Sequence, residues 1–360
     1  MTIGEKIKQY RLNRKFSLQQ LADLSNLSKA AIQQYEEGTI RPSNKALISV
    51  ANALSVDVWS LFHIEETSLE LADFRLGEKL EDSDVERKEI YNLVVDYSEN
   101  YLELESIMDE QIVFENPVVD LIINNYKDVE KAASRVRKKW KLYDGPIDDI
   151  SVLLESKGIK IISFDRKTES PGLCGFMKSG VREIPFILLN INHDHIREIT
   201  RKRFTIVHES AHLILKFGEG VTKELEERLC NRFASALLLP GEALIDFIGK
   251  NRTTISLEEL KILKEMYGIS IQGIIYSANS NGLITDETCK AWSKLYEEWL
   301  SQGLDFGNYI KGREEPQRFT RLISRGYMEK RISKEKVSEM LNITMEEIDR
   351  RFGYNRFSLY

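Results

Sequence analysis

Two of the chain's five histidines, His208 and His212, stand four residues apart in RFTIVHESAHLILKF, and Glu209 follows the first. On a helix, residues four apart project from one face, so both imidazoles can offer a nitrogen to one metal ion. Glu209 sits beside the first of them, within reach of a water on that metal without ligating the metal itself. This His-Glu-x-x-His spacing suits zinc-assisted hydrolysis. The plain alternative is a half-exposed helix that happens to carry two histidines, and the motif alone does not separate the two.

A catalytic zinc needs a third protein ligand and an open position for water. About a dozen residues beyond His212 begins KELEERLCNRFASALLLP, across a loop containing Gly218 and Gly220. In it Glu227 and Asn231 are four apart on one face. Glu227 can complete the site, and Asn231 can hydrogen-bond a ligand from behind. Glu224 and Glu226 are rivals: Glu224 shares that face a turn nearer the loop, and Glu226 is expected to point elsewhere. His193, His195, Tyr267 and Tyr276 are candidates to steady an oxyanion, and sequence does not choose among them.

The elements that must position these residues are mostly helical. IKIISF and IPFILLNI read as strands, β-branched and strongly apolar. Helical periods cover the histidine stretch, the segment ended by Pro240, and runs at 256–267, 270–279, 286–302 and 315–326, followed by SKEKVSEML and TMEEIDRRF. ISVLLESKG reads as a helix ending at Gly158. Apolar residues from Ile90 to Met108 recur at helical spacing over about six turns. RVRKKWK reads as a solvated helix face leading to an inward Trp140.

The first 62 residues differ in kind. They carry eight basic and five acidic residues, a charge of +3, which leaves −9 for the rest of a chain whose total is −6. A basic head on an acidic body fits a nucleic-acid reader joined to a module that does not bind nucleic acid. Ile3, Ile7 and Tyr10 line a first helix. Ser17, Ser28 and Ser43 are placed to cap three more, and Gly38 ends the third. SLQQLADLSNLSKAAIQQYEEG thus reads as two helices on a short turn, packed through Leu21, Ala22, Leu27 and Ile32. Lys29, Ala30, Gln33 and Gln34 are left outside near the start of the second helix, where a major groove would receive them. Lys45 is placed for a phosphate contact. A small helical bundle used for protein contact is the bland reading of the same pattern.

The run from Phe16 to Pro42 resembles the Xre/Cro-type helix-turn-helix family, including Tyr35-Glu36-Glu37-Gly38 and Arg41-Pro42. That resemblance implies Lys29, Ala30 and Gln34 as base readers with Ser28 capping. Leu18 stands where the family commonly has glutamine, which puts one backbone contact in doubt. RFTIVHESAH, ERLCNRFASALLLP and KEMYGISIQGIIYSANSNGLIT resemble, in order, the ImmA/IrrE family of zinc metallopeptidases, over roughly 130–285 with weaker echoes at 85–110 and 318–350. The likeness implies His208, His212 and Glu227 as zinc ligands and Glu209 as general base. Ala211 replaces the usual glycine, and Ser277 stands where an arginine is frequent.

Three scattered cysteines (Cys174, Cys230, Cys289), no signal-peptide core and no membrane-length apolar run point to the cytoplasm and away from the membrane. The expected architecture is mostly α with a small β-sheet. It comprises an N-terminal all-α helix-turn-helix domain (1–66), a linker and amphipathic helix (67–125), an α+β zincin-like domain (126–285) and C-terminal helices (286–360). The expected function is a transcriptional regulator on a double-stranded DNA operator, read by a homodimer if the operator is an inverted repeat. Its zinc-dependent peptidase would cleave a repressor or the chain itself, in a stress, prophage or toxin–antitoxin setting. The alternative is a non-enzymatic, antitoxin-like repressor whose zincin domain binds a partner such as a toxin, or a ligand.

Overall fold

The computed structural model of the protein describes residues 3–54, 56, 58–61, 70–75, 84–165, 170–179, 182–250 and 252–352. Two compact units emerge, one of residues 1–69 with 99–110 and one of residues 70–98 with 111–360. The chain is mostly α with small sheets.

In the first unit, helices α1 (Ile3–Asn13), α2 (Leu18–Ser25), α3 (Lys29–Glu36) and α4 (Asn44–Leu54) precede a 3-10 turn at Val58–Leu61. Local capping explains their boundaries. The Ser17 hydroxyl accepts from Gln20 N while the Gln20 side chain accepts from Ser17 N, a reciprocal box that starts α2. Ser28 accepts from Ala31 N and starts α3, and Ser43 accepts from Ala46 N ahead of α4. Gly38, at φ +70°, takes the left-handed conformation just past α3 that glycine adopts most cheaply. Ile7, Leu21, Ala22, Ile32, Leu47, Val50 and Leu54 form the core. Arg11 of α1 clamps Glu36 at the end of α3 through two charge-assisted bonds of 2.6 and 2.8 Å. Arg11 and Lys6 are buried, so two of the head's basic residues serve its own packing.

Next in sequence come β1 (Glu70–Arg75) and α5 (Asp84–Met108), and the two units divide α5 between them. Residues 62–69 and 76–83, around the linker expected ahead of the amphipathic helix, lie outside the described residues. There follow β2 (Ile122–Ile123), α6 (Tyr126–Lys139), α7 (Ile150–Ser156), β3 (Lys160–Phe164), β4 (Gly172–Ser179) and β5 (Arg182–Asn190). The sheet order is β1-β4-β5-β3, with β3 parallel to β5 and the other neighbours antiparallel. The two strands legible in the sequence are therefore direct neighbours, and β4 and β1 extend the sheet on the β5 side.

Then come α8 (Asp194–Arg197), α9 (Ile199–Ile214), which packs on β4 and β5, β6 (Lys216–Phe217), α10 (Lys223–Leu238), which packs on α9 and α6, α11 (Gly241–Ile248), α12 (Leu257–Tyr267), α13 (Ile271–Ser280) and α14 (Asp286–Ser301). Helices α15 (Arg318–Met328), α16 (Lys334–Leu341) and α17 (Met345–Phe352) complete the chain's described part. The core runs through α6, α7, the sheet, α9, α10 and α13, with Ile161, Ile187, Val207, Phe233 and Ile274 among its fully buried residues. The supposed loop after His212 contains β6, which pairs in parallel with β2.

One basic run departs from expectation. Trp140 is buried as expected, but Arg137 is buried too. Its guanidinium donates to the carbonyls of Tyr143, Gly145 and Leu237, bridging α6, the turn after it and α10. Desolvation lowers its pKa to about 10. A solvated face describes Lys138 and Lys139, which are exposed, and not Arg137.

Candidate functional site

Helix α9 begins where Glu198 accepts from the N–H groups of Thr200 and Arg201, occupying the positive end of the helix. Its inner face, including Ile206, Val207, Ala211 and Ile214, is fixed in the core. That leaves His208 and His212 on the flank facing α10. Thr222 caps α10 by accepting from Leu225 N, and Leu229, Cys230 and Phe233 set the rotation that brings Glu227 toward the histidines.

Three groups converge. His208 Nε2 lies 3.3 Å from His212 Nε2 and 3.2 Å from Glu227 Oε2, and His212 Nε2 lies 3.4 Å from Glu227 Oε1. One ligand atom from each of the three lies within 4.8 Å of the others. Ligands about 2.0–2.1 Å from a tetrahedral zinc are separated from each other by about 3.3–3.4 Å. The distances to Glu227 run to its two different oxygens, each close to such a separation, and the donor set of two imidazoles and a carboxylate suits the same ion.

The surrounding contacts orient the donors. His212 Nδ1 lies 3.2 Å from Glu226 Oε1, with Cys230 Sγ 3.5 Å away on the same nitrogen. A carboxylate on Nδ1 favours the tautomer that leaves Nε2 bare for a metal. Glu226 thus points into the site, contrary to the expectation that it turns away, and the rival Glu224 is exposed outside the cluster. Burial disfavours a charged His208. The Glu227 hydrogen bond and the charges of Glu209 and Glu227 outweigh that and hold it above its ordinary value. Hydrogen bonds from His208 and His212 hold Glu227 well below the usual carboxylate range. The pocket favours a cation.

Glu209 points to the other side, against β4. A Cβ on Gly172 would lie 3.1 Å from Glu209 Cγ and 2.9 Å from Thr205 Cγ2, so this strand approaches the helix at a distance only glycine allows. Nothing in the sequence signalled Gly172. A cavity of about 700 Å³ extends from His212 and Glu226, lined by Val119, Val221 and Phe176 of β4 among others. Of the oxyanion candidates, Tyr267 is buried and donates to the Asp144 carbonyl, Tyr276 is exposed on α13, and the His195 side chain lies outside the described residues. Ser277 is buried in α13.

In the head, Lys29, Ala30, Gln33 and Gln34 are all exposed along α3, with Ser28 capping and Lys45 exposed at the start of α4. Gln33 donates to Glu37, 2.8 Å away, which leaves Gln34 as the unoccupied amide of the pair. Leu18 is half-buried against the core, and Gln19 donates to Asp23.

A helix-turn-helix family model matches residues 7–58, and the model of the IrrE N-terminal-like domain matches 154–278, which contains His208, Glu209, His212 and Glu227. The immunity repressor protein of Bacillus phage phi105 is 25% identical over 140 residues, 39% of this chain and 92% of that protein. Among solved structures, Bacillus thuringiensis PlcR in complex with the peptide PapR7 and DNA aligns with 98% of this chain and 99% of its own. The identity is 11% and the TM-score 0.20, from which nothing about this chain follows. No helix among the described residues is long and apolar enough to cross a membrane. By its family matches, the chain joins an Xre-type helix-turn-helix domain to an IrrE/ImmA-like domain.

Proposed function

We propose that the chain is a DNA-binding transcriptional regulator whose body is a zinc-dependent peptidase. It acts on a repressor or on a copy of the chain itself. The observation that carries this reading is the convergence of His208, His212 and Glu227, one ligand atom from each within 4.8 Å of the others, with Glu209 next to His208 on the same helix and outside that group. A zinc ion that served structure alone has no use for that carboxylate.

When bound, zinc lowers the pKa of water toward about 7 and polarises a scissile carbonyl. Glu209 takes the proton of the attacking water and delivers it to the leaving nitrogen. Glu226 keeps the His212 ring turned, and Asn231, one turn beyond Glu227 on α10, is the proposed support behind the ligands. The exposed ends of Lys29, Ala30, Gln33 and Gln34 read an operator in the major groove, while Lys45 and the N-terminus of α3 hold phosphate. The phage immunity repressor among its relatives supports a regulatory setting.

The deciding experiment uses Glu209→Gln, which preserves shape and zinc and removes the base. General-base loss costs about two to four orders of magnitude in rate, visible on a gel. In the peptidase reading the variant still binds its operator, its target stays intact under inducing conditions, and the promoter loses its response. Unchanged regulation in a Glu209→Gln strain with normal zinc content points instead to a partner-binding, antitoxin-like body.

A further inference from the structure

Strand β4 is the part of the sheet closest to Glu209, at Gly172. One of its edges is paired with β5 along its whole length, from Gly172 opposite Leu189 to Ser179 opposite Arg182. Its other edge is where an extended peptide could be held beside Glu209 by main-chain hydrogen bonds, as added strands are held on open sheet edges. Most of that edge is taken: β1 lies along it in antiparallel register, from Glu70 opposite Lys178 to Arg75 opposite Cys174, two residues short of Gly172.

Three features mark β1 as a replaceable occupant. It is the last strand in the sheet order, so among the described strands it pairs only with β4. It is six residues long, with a register irregularity between Leu71 and Asp73 that interrupts its ladder. Its direction carries the chain along β4 from Lys178 toward the Gly172 end, where Glu209 lies. In sequence it belongs to the segment between the head's last turn, Val58–Leu61, and α5.

We propose that Glu70–Arg75 is an internal strap on a peptide-binding edge of β4, and that it must leave before an extended substrate strand can be held beside Glu209. The inference rests on the peptidase reading. The occupant is this chain's own strand, and the external ligand is an unfolded peptide bound through its backbone.

The test compares the full chain with Phe74→Pro/Arg75→Pro. In an antiparallel pair consecutive N–H groups point to opposite sides, so two adjacent prolines remove one ladder bond whichever register holds. Hydrogen exchange at the β4 amides facing away from β5 should rise about tenfold or more, while the β3–β5 amides stay protected. Adding a capped synthetic peptide ELADFR should restore the lost protection, also with Glu209→Gln present. If the strap is docked most of the time, zinc-loaded hydrolysis of an unstructured reporter peptide should rise about tenfold in the proline variant.

Unchanged β4 exchange in the proline variant, or lost protection that the peptide does not restore, overturns the proposal. Should the prolines also unprotect β5, the wild-type chain carries the test: excess ELADFR must slow exchange at the same β4 amides, and no slowing overturns the proposal equally. Exchange as expected with no hydrolysis in any variant supports the docking edge and counts against the peptidase reading.

Discussion

Arg203 and Glu314, both with fully buried side chains, form an ion pair that ties the histidine-bearing helix α9 to a residue 111 positions further along the chain. Neither group stands alone. Arg203 also donates to the carbonyls of Gly268 and Ile147 and lies over the Tyr309 ring, 4.7 Å from its centroid. Glu314 accepts from the N–H groups of Ile150 and Ser151, so it holds the start of α7 as well. The segment before α15 is thereby built into the body that carries the proposed metal ligands.

Removing one member of such a pair strands the other in the core. Glu314→Ala is expected to destabilise the body by about 3–5 kcal/mol, read from urea unfolding. Replacing both with apolar residues of similar size, Arg203→Met with Glu314→Leu, should recover a large part of the loss. A single-variant cost under about 1 kcal/mol contradicts this account of the contact.

The metal centre gives the second prediction. Purified protein should hold about one zinc per chain, lost in His208→Ala, His212→Ala and Glu227→Ala and kept in Glu209→Gln and Glu224→Ala. Glu226→Ala should keep zinc with affinity lower by about 10–100-fold, because it removes the carboxylate behind His212. Zinc retained in Glu227→Ala and lost in Glu224→Ala reverses the ligand assignment.

The head supplies a third. Gln34 is exposed on α3 without the Glu37 partner that engages Gln33. Gln34→Ala should therefore cost about 1–3 kcal/mol at one base position and relax sequence preference there. Lys45→Ala should weaken binding to all sequences alike and flatten the salt dependence by about one counterion. A selection that recovers no preferred DNA from residues 1–110, or binding insensitive to salt, removes the reading of α3 as a base reader.

Much of this site was legible because helical periodicity is local. His208 and His212 at i and i+4, and Glu227 a helix later, needed only the rotation of α9 and α10, which their apolar faces set. β3 and β5 announced themselves through β-branched runs. β4, GLCGFMKS, has two glycines and one lysine in eight residues, and β1, ELADFR, has three charges in six; neither carries that signature. Both are strands because a neighbour supplies hydrogen bonds, a non-local cause. Arg137 misled for the same reason: its run looks solvated, and only the three carbonyls brought together by folding make its burial tolerable.

Glu155 on α7 offers a test by pH. Its carboxylate accepts from Gln317 N and Arg318 N, at the start of α15. Burial pushes its pKa up, against the pull of those donors and of Arg318. A carboxyl that binds its proton more tightly when folded contributes most below its unfolded value, about 4.3. The contribution falls as pH rises through the folded value. Glu155→Gln should therefore gain stability relative to the parent as pH rises from about 4 to 6. Urea midpoints across that range check it, and a relative loss would refute the sign.

The last prediction concerns the approach of β4 to α9. A Cβ at position 172 meets the Thr205 methyl at 2.9 Å, closer than such contacts are found, and Glu209 Cγ at 3.1 Å. Gly172→Ala must therefore push the helix turn carrying Glu209, or the strand beside it, by a few tenths of an ångström. The proposed ligands His208 and His212 meet Glu227 of α10, away from the contact with Gly172, so zinc content should stay near one per chain. Positioning of the base should suffer, and errors approaching 1 Å can cost about a hundredfold, so a loss of about tenfold in hydrolysis is expected. Thr205→Ser removes the methyl at the closest contact and keeps the hydroxyl. In the Gly172→Ala background it should restore a good part of the rate, while in the parent it should do little. Loss of zinc in Gly172→Ala, or no rescue by Thr205→Ser, would show that the glycine serves the fold of β4 and not the placement of Glu209.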